Sequence, residues 1–89
     1  MFIEDVNGEY VNIKYILRVY KEVGAVHTNY EDKEKADPTF EIRAELVVAG
    51  DTTRTVILAK DIAEDEVDTT LESIMDSIDE RIDKAKQAL

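Results

Sequence analysis

The chain has 89 residues, of which 44% are hydrophobic and 36% charged, and it contains no cysteine. This length suits one domain, and the composition is typical of a folded chain rather than a disordered one. The absence of cysteine excludes disulfides, thiolate metal ligands and cysteine nucleophiles. There is no signal-peptide pattern and no apolar run of membrane-spanning length. We therefore expect one cytoplasmic domain over residues 1–89, with no cofactor and no metal site.

The formal net charge is −10, and it is unevenly distributed. Residues 1–60 carry 11 acidic and 8 basic side chains, whereas residues 61–89 carry 10 acidic and only 3 basic ones. A negative field opposes binding to phosphate groups. The charge therefore argues against direct contact with nucleic acid or with an anionic membrane surface.

The N-terminal segment has the pattern of a β-hairpin. Asn7-Gly8 lies between short apolar runs. An Asn-Gly pair tolerates the two positive φ angles of a type I′ turn, which joins two strands through two residues. We predict strands near residues 2–6 and 9–13.

Residues 13–23 fit two structures. Apolar residues at alternate positions from Val11 to Val23 favour a strand, while Ile13, Ile16, Leu17 and Tyr20 also fit helical spacing, with Asn12 as N-cap. Because β-branched and aromatic residues dominate, we predict a bend near Lys14 followed by a strand over 16–23.

The middle of the chain is predicted to form a flexible loop and two strands. Residues 24–38 are polar and end at Asp37-Pro38, so we expect a loop there. Apolar and polar residues alternate over 40–48, residues 49–53 resemble a turn, and 55–59 is an apolar run. The fold class is therefore α+β, with a four- to five-stranded antiparallel sheet over about 2–60.

The C-terminal segment is predicted to be a long amphipathic helix over about 64–87. Its acidic residues concentrate in the first turns and Lys84 and Lys86 in the last, as the helix dipole favours. Apolar residues recur at spacings of three and four, which places them on one helix face. They are Val67, Leu71, Ile74, Ile78, Ile82, Ala85 and Leu89.

The end of this helix is a candidate dimer interface. About 24 helical residues span ~36 Å, whereas a six-residue strand spans only ~20 Å. The far end of the helix would then extend past the sheet. Either it pairs with a second copy through Ile78, Ile82, Ala85 and Leu89, or the helix crosses the sheet diagonally and frays at its end.

A row of acids beside the apolar stripe is the candidate partner-binding surface. Successive members lie about one helical turn apart, and a loop contact over 30–35 could accompany them. Such a row is a solvated helix face that keeps a small protein soluble, or it steers a protein with a basic surface, or it imitates the phosphates of a DNA strand. The members of the row are Asp68, Glu72, Asp76, Asp79 and Asp83.

Sequence motifs for catalysis are missing. The three glycines, Gly8, Gly24 and Gly50, form no phosphate-binding loop, and His27 is the only histidine. The two serines, Ser73 and Ser77, fall inside the predicted helix, away from any nucleophile turn. We therefore expect a protein that is not an enzyme.

The segment from Asn7 to Ile13, followed by Tyr15-Ile16 and Arg18-Val19, is similar to small accessory proteins of phages and bacterial mobile elements, and to the flagellar FlbD type. The resemblance implies a small accessory protein with an N-terminal hairpin and a C-terminal helix. The expected function is a binding or regulatory module. The alternatives are a DNA-mimic inhibitor of the anti-restriction or anti-CRISPR kind, and a homo-oligomeric structural component.

Overall fold

The computed structural model describes residues 1–28 and 36–87, and within these the side chains of 1–24 and 38–84. It confirms an α+β fold with antiparallel strands and one C-terminal helix. The elements in chain order are β1 (Phe2–Glu4), β2 (Tyr10–Asn12), a 3₁₀ turn (Ile13–Tyr15), β3 (Ile16–Thr28), β4 (Ala36–Ala49), β5 (Thr52–Ala63) and α1 (Glu64–Gln87).

The described strands form two sheets, so the prediction of one sheet of four to five strands is wrong. Strands β1 and β2 pair with each other, and the three long strands form a separate sheet in the order β3-β4-β5. The hairpin meets β5 through one backbone bond, from Val6 N–H to Ile57 O (2.9 Å). It lies on the three-stranded sheet rather than beside it, because Val11 packs against Ala44 and Val56.

The hairpin turn is wider than the predicted two-residue type I′ turn. Asp61 is the only non-glycine residue with positive φ in the described chain, so Asn7 does not have the φ that this turn requires. Gly8 alone in the hairpin is left-handed, at φ 79°, and its N–H donates to Asp5 O. The buried Asp5 carboxylate accepts bonds from the N–H groups of Asn7 and Glu9, each at 2.9 Å.

Residues 13–23, for which the sequence fits either a strand or a helix, contain a short helical turn followed by a strand. Asn12 caps a single 3₁₀ turn by accepting a bond from Lys14 N–H (3.1 Å), and the chain then extends as β3 from Ile16. The turn buries Ile13. The bend predicted near Lys14 is confirmed.

The strands extend into the predicted loop 24–38. Strand β3 continues to Thr28 and β4 begins at Ala36, with His27 opposite Asp37 and Val26 opposite Pro38. Backbone pairing between neighbouring strands does not need apolar side chains, so polar composition did not reveal it. The predicted contact segment 30–35 lies outside the described residues.

Strand β5 also exceeds the predicted 55–59 and runs to Ala63. Near its end, Glu41 faces two residues, Lys60 and Asp61, and Asp61 has φ 57°. This is the geometry of a β-bulge, which bends a strand and increases its twist. Strand β5 therefore bends just before α1 begins.

The core lies between the three-stranded sheet and a layer made of α1 and the hairpin. Near the start of α1, Val67 packs against Ile42 and Ile62, with Leu71 and Ile74 added along the helix. The three-stranded sheet has strands of 12 to 14 residues, which span ~40–46 Å at 3.3 Å per residue. The helix, at ~36 Å, is therefore no longer than these strands, so the difference in length from which the overhang was predicted is absent.

A candidate protein-binding surface

Helix α1 is held to the sheet by the predicted apolar stripe. Val67 is 1% exposed and Ile78 is 6% exposed, while Leu71, Ile74 and Ile82 are half-buried. Glu64, Asp65 and Glu66 occupy the first turn, where the unpaired N–H groups and the helix dipole favour negative charge. The stripe fixes which side of the helix faces solvent.

The five predicted acids form one exposed surface, which we call the acidic flank: Asp68, Glu72, Asp76, Asp79 and Asp83. All five are exposed. At about 100° per residue they fall within an arc of ~80°, beginning about 100° from Val67. Asp65 falls on the same arc and is also exposed. Asp65 was not assigned to the row from sequence, because it lies in the first helical turn, where acidic side chains already stabilise the helix through its dipole.

The acidic flank lies on the side of α1 that faces β3. Lys21 Nζ on β3 is 2.6 Å from Asp68 Oδ1. The opposite side of the helix meets the hairpin, where Arg81 Nη1 donates to Phe2 O at 2.6 Å. These two contacts show how α1 is rotated about its axis, so the direction of the flank does not depend on the helical wheel alone.

Four of the five carboxylates have no neutralising partner among the described side chains. Glu72, Asp76, Asp79 and Asp83 make no ion pair with any cation whose side chain the structure describes. The i,i+4 pair on this helix, Lys84 Nζ to Glu80 Oε1 at 3.2 Å, lies outside the flank. The flank therefore presents a net negative charge to solvent.

The structure describes the side chains of only two of the four residues in the predicted dimer interface, Ile78 and Ile82. Ile78 is buried within the chain, and Ile82 is half-buried. The side chain of Ala85 and the whole of Leu89 lie outside the described residues. The part of the stripe at Ile78 therefore contributes to the core of one molecule.

A second surface lies between the hairpin and the end of the three-stranded sheet. It is an open groove of about 420 Å³ with Tyr10, Tyr15 and Val48 on its walls. These side chains are 73%, 49% and 59% exposed. The charged groups on the walls are Glu9 and Arg54, which neutralise each other at 3.2 Å. The groove offers contact area rather than an acid–base pair.

The described residues contain no group of three or more His, Asp or Glu side chains placed to hold a metal ion. Helix α1 is long enough to cross a membrane but not apolar enough to do so, and no other helix among the described residues qualifies. On the sheet face away from α1, a hydrogen bond from Arg43 to Glu41 raises the pKa of the arginine. Arg43 therefore keeps its charge, as arginine does in proteins generally.

The chain matches none of the known family models, curated protein sequences or solved structures with which it was compared. The similarity of its first 20 residues to phage and FlbD-type proteins therefore stays a sequence-based expectation. The geometry of the acidic flank is the main basis for a functional proposal.

Proposed function

We propose that this protein is a non-catalytic binding module that recognises a basic surface on another protein through the acidic flank of α1. The observation that carries the proposal is a group of four carboxylates, unpaired with any described cation, on one exposed side of a helix whose other side is held in the core. A rigid helix keeps these charges at fixed spacing, ~5–6 Å per turn. Long-range attraction then steers a cationic partner onto the flank.

The exposed acids could instead serve only to keep the protein in solution. An even distribution of charge around the helix would suit that role. The acidic flank instead occupies ~80° of the helix, and just one of its members, Asp68, is paired with a described cation. This asymmetry supports a directional role.

The experiment is affinity capture from a lysate of the source organism with three versions of the full chain. The first is the natural chain. The flank variant carries Glu72→Gln, Asp76→Asn, Asp79→Asn and Asp83→Asn. The control variant removes the same number of charges from exposed acids elsewhere, with Glu4→Gln, Asp51→Asn, Glu66→Gln and Glu80→Gln. Both variants have the same net charge.

The proposal predicts a protein captured by the natural chain and by the control variant but lost with the flank variant. If the control variant loses the protein equally, total charge decides the binding and the flank has no special role. If the flank variant retains it fully, the proposal is wrong. Circular dichroism on all three chains shows whether each is folded.

A DNA-mimic inhibitor is the second candidate, favoured by the spacing of the acidic flank. Phosphates along a DNA strand recur on a comparable scale, from the ~3.4 Å axial rise plus rotation. In that case the captured protein binds duplex DNA, and duplex DNA displaces it from this chain. A captured protein that binds both at once excludes mimicry while leaving the binding module intact.

A further inference from the structure

Strand β3 has a free edge. In the three-stranded sheet it pairs with β4 alone, and no backbone hydrogen bond joins its outer edge to another described segment. Leu17 and Val23 on this strand are 56% and 46% exposed. A strand edge with unpaired N–H and C=O groups is a template for another strand.

The usable part of this edge is short and regular. The pairing of β3 with β4 has two register shifts, one between Ile16 and Arg18 and one between Val23 and Ala25. The stretch that lies between these shifts, residues 18–23, pairs with β4 without interruption. Side chains alternate along this stretch. Val19 packs in the core and Lys21 reaches Asp68, so these two point towards α1. The side chains that alternate with them point to the other face of the sheet: Arg18, Tyr20 and Glu22.

Glu22 lies directly opposite another acidic residue on β4. It pairs in register with Glu41, and like charges directly opposite each other destabilise a sheet. Glu41 already accepts from Arg43 at 2.9 Å. No cation with a described side chain pairs with Glu22. A cation arriving along the free edge of β3 would relieve this repulsion.

A second copy of the same strand supplies that cation. When two β3 edges pair antiparallel with Tyr20 opposite Tyr20, Arg18 of each copy faces Glu22 of the other. The same register sets exposed Leu17 near exposed Val23. A shift by one residue in each copy, to Lys21 opposite Lys21, brings like charges together instead. The charges along this edge are therefore self-complementary in one register.

Arg18 is restrained by two contacts within its own sheet and stays exposed. Its guanidinium carbon lies 4.3 Å from the centre of the Tyr20 ring, and Nη2 is 3.2 Å from Glu45 Oε2. The side chain stays 61% exposed, so it remains accessible to a second carboxylate. An arginine guanidinium can engage two acids because it carries five N–H donors.

We infer that two copies of this chain associate through the β3 edge, antiparallel about Tyr20, and form a continuous six-stranded sheet. The inference rests on the strand edge and not on the partner proposed for the acidic flank, although the flank lies on the β3 side of α1 and its negative charge opposes the association of two copies. The regular edge of six residues spans only ~20 Å, so the interface falls at the small end of specific interfaces and the dimer is weak.

The experiment uses sedimentation of the full chain at concentrations up to about 1 mM, where a weak dimer is populated. The natural chain should show a mass that rises towards that of a dimer. Arg18→Glu and Glu22→Arg should each stay monomeric, since each places like charges opposite each other. Mixing the two variants should restore association, because one copy then carries two acids at the edge and the other two bases.

The matched control is Arg54→Glu. Arg54 is an arginine of similar exposure, 59%, that also pairs with one glutamate, Glu9, but it lies on β5. The Arg54→Glu variant should dimerise like the natural chain. A natural chain that is monomeric at about 1 mM overturns the inference, and the edge then serves a different strand or none. Single variants that dimerise normally, or a mixture that does not associate, also overturn it.

A second readout covers the case in which a charge reversal prevents folding. In the natural chain, the backbone amide resonances of residues 18–22 should shift with protein concentration, while those of the hairpin stay fixed. Shifts confined to α1 or to the hairpin would place the self-association elsewhere and contradict the inference.

Discussion

Lys21 Nζ and Asp68 Oδ1 are 2.6 Å apart, and this contact joins the edge strand β3 to the second turn of α1. It sets the acidic flank on the β3 side of the molecule. Both side chains are well exposed, at 47% and 77%, so water screens the pair. The contact therefore marks which side of the helix faces β3 and contributes little to the stability of the fold.

We predict that Lys21→Met lowers the free energy of unfolding by less than about 1 kcal/mol, as is usual for exposed ion pairs. The measurement is urea denaturation followed by circular dichroism. Lys60→Met, at an exposed lysine for which no ion pair with a described side chain exists, is the control. A loss above about 2 kcal/mol for Lys21→Met would show that the pair is structural.

We predict that Ile42→Ala lowers the free energy of unfolding by about 2–5 kcal/mol. Ile42 is fully buried and packs against Val67 of α1, so the truncation leaves a cavity under the helix. Val48→Ala is the control, since Val48 lies on the same strand and is 59% exposed. It should change stability by less than about 0.5 kcal/mol. Equal effects of the two changes would contradict the position of the core.

We predict that Asp5→Ala destabilises the protein by about 1–3 kcal/mol. The Asp5 carboxylate accepts from two backbone N–H groups in the hairpin turn, and the change leaves both without this acceptor. Asp5→Asn keeps one side-chain oxygen and should cost less. Asp51→Ala removes an exposed aspartate at the β4–β5 turn and is the control. An Asp5→Ala protein as stable as this control would show that the bonds contribute little.

We predict that Ile78→Asp unfolds the protein or destabilises it by about 3 kcal/mol or more, because it places a charge at a buried site. Ile82→Asp at the half-buried neighbouring position should cost less. Thermal unfolding of both variants is the measurement. If Ile82→Asp folds and dissociates a dimer of the natural chain, the helix rather than the β3 edge is the interface.

Elements with a strong local signal could be predicted from sequence. The bounds of α1 were predicted at about 64–87 and lie at Glu64–Gln87, because the apolar period and the charge asymmetry both act within one helix. The bend near Lys14 was also predicted, since a change from one strand direction to the next needs a turn there. The α+β class followed from these two features and the alternation over 40–48.

Features that depend on distant contacts could not be predicted. Whether β2 continues the sheet or packs on it depends on Val11 meeting Ala44 and Val56, which are over 30 residues away. The lengths of β3 and β4 depend on backbone pairing between polar residues. The bulge at Asp61 and the bridge from Lys21 to Asp68 likewise involve separate elements. These contacts decide where the predicted acids face.

The dissociation constant of the captured protein, measured with the three chains at low and high salt, tests the role of the acidic flank most directly. At about 0.5 kcal/mol for each lost charge pair, the four flank substitutions together should weaken binding by roughly 30-fold at low salt. The control variant should change affinity by less than about 3-fold, and binding of the natural chain should fall steeply towards about 0.5 M salt. Equal affinity of the flank variant and the natural chain, or binding unaffected by salt, would contradict a binding role for these carboxylates.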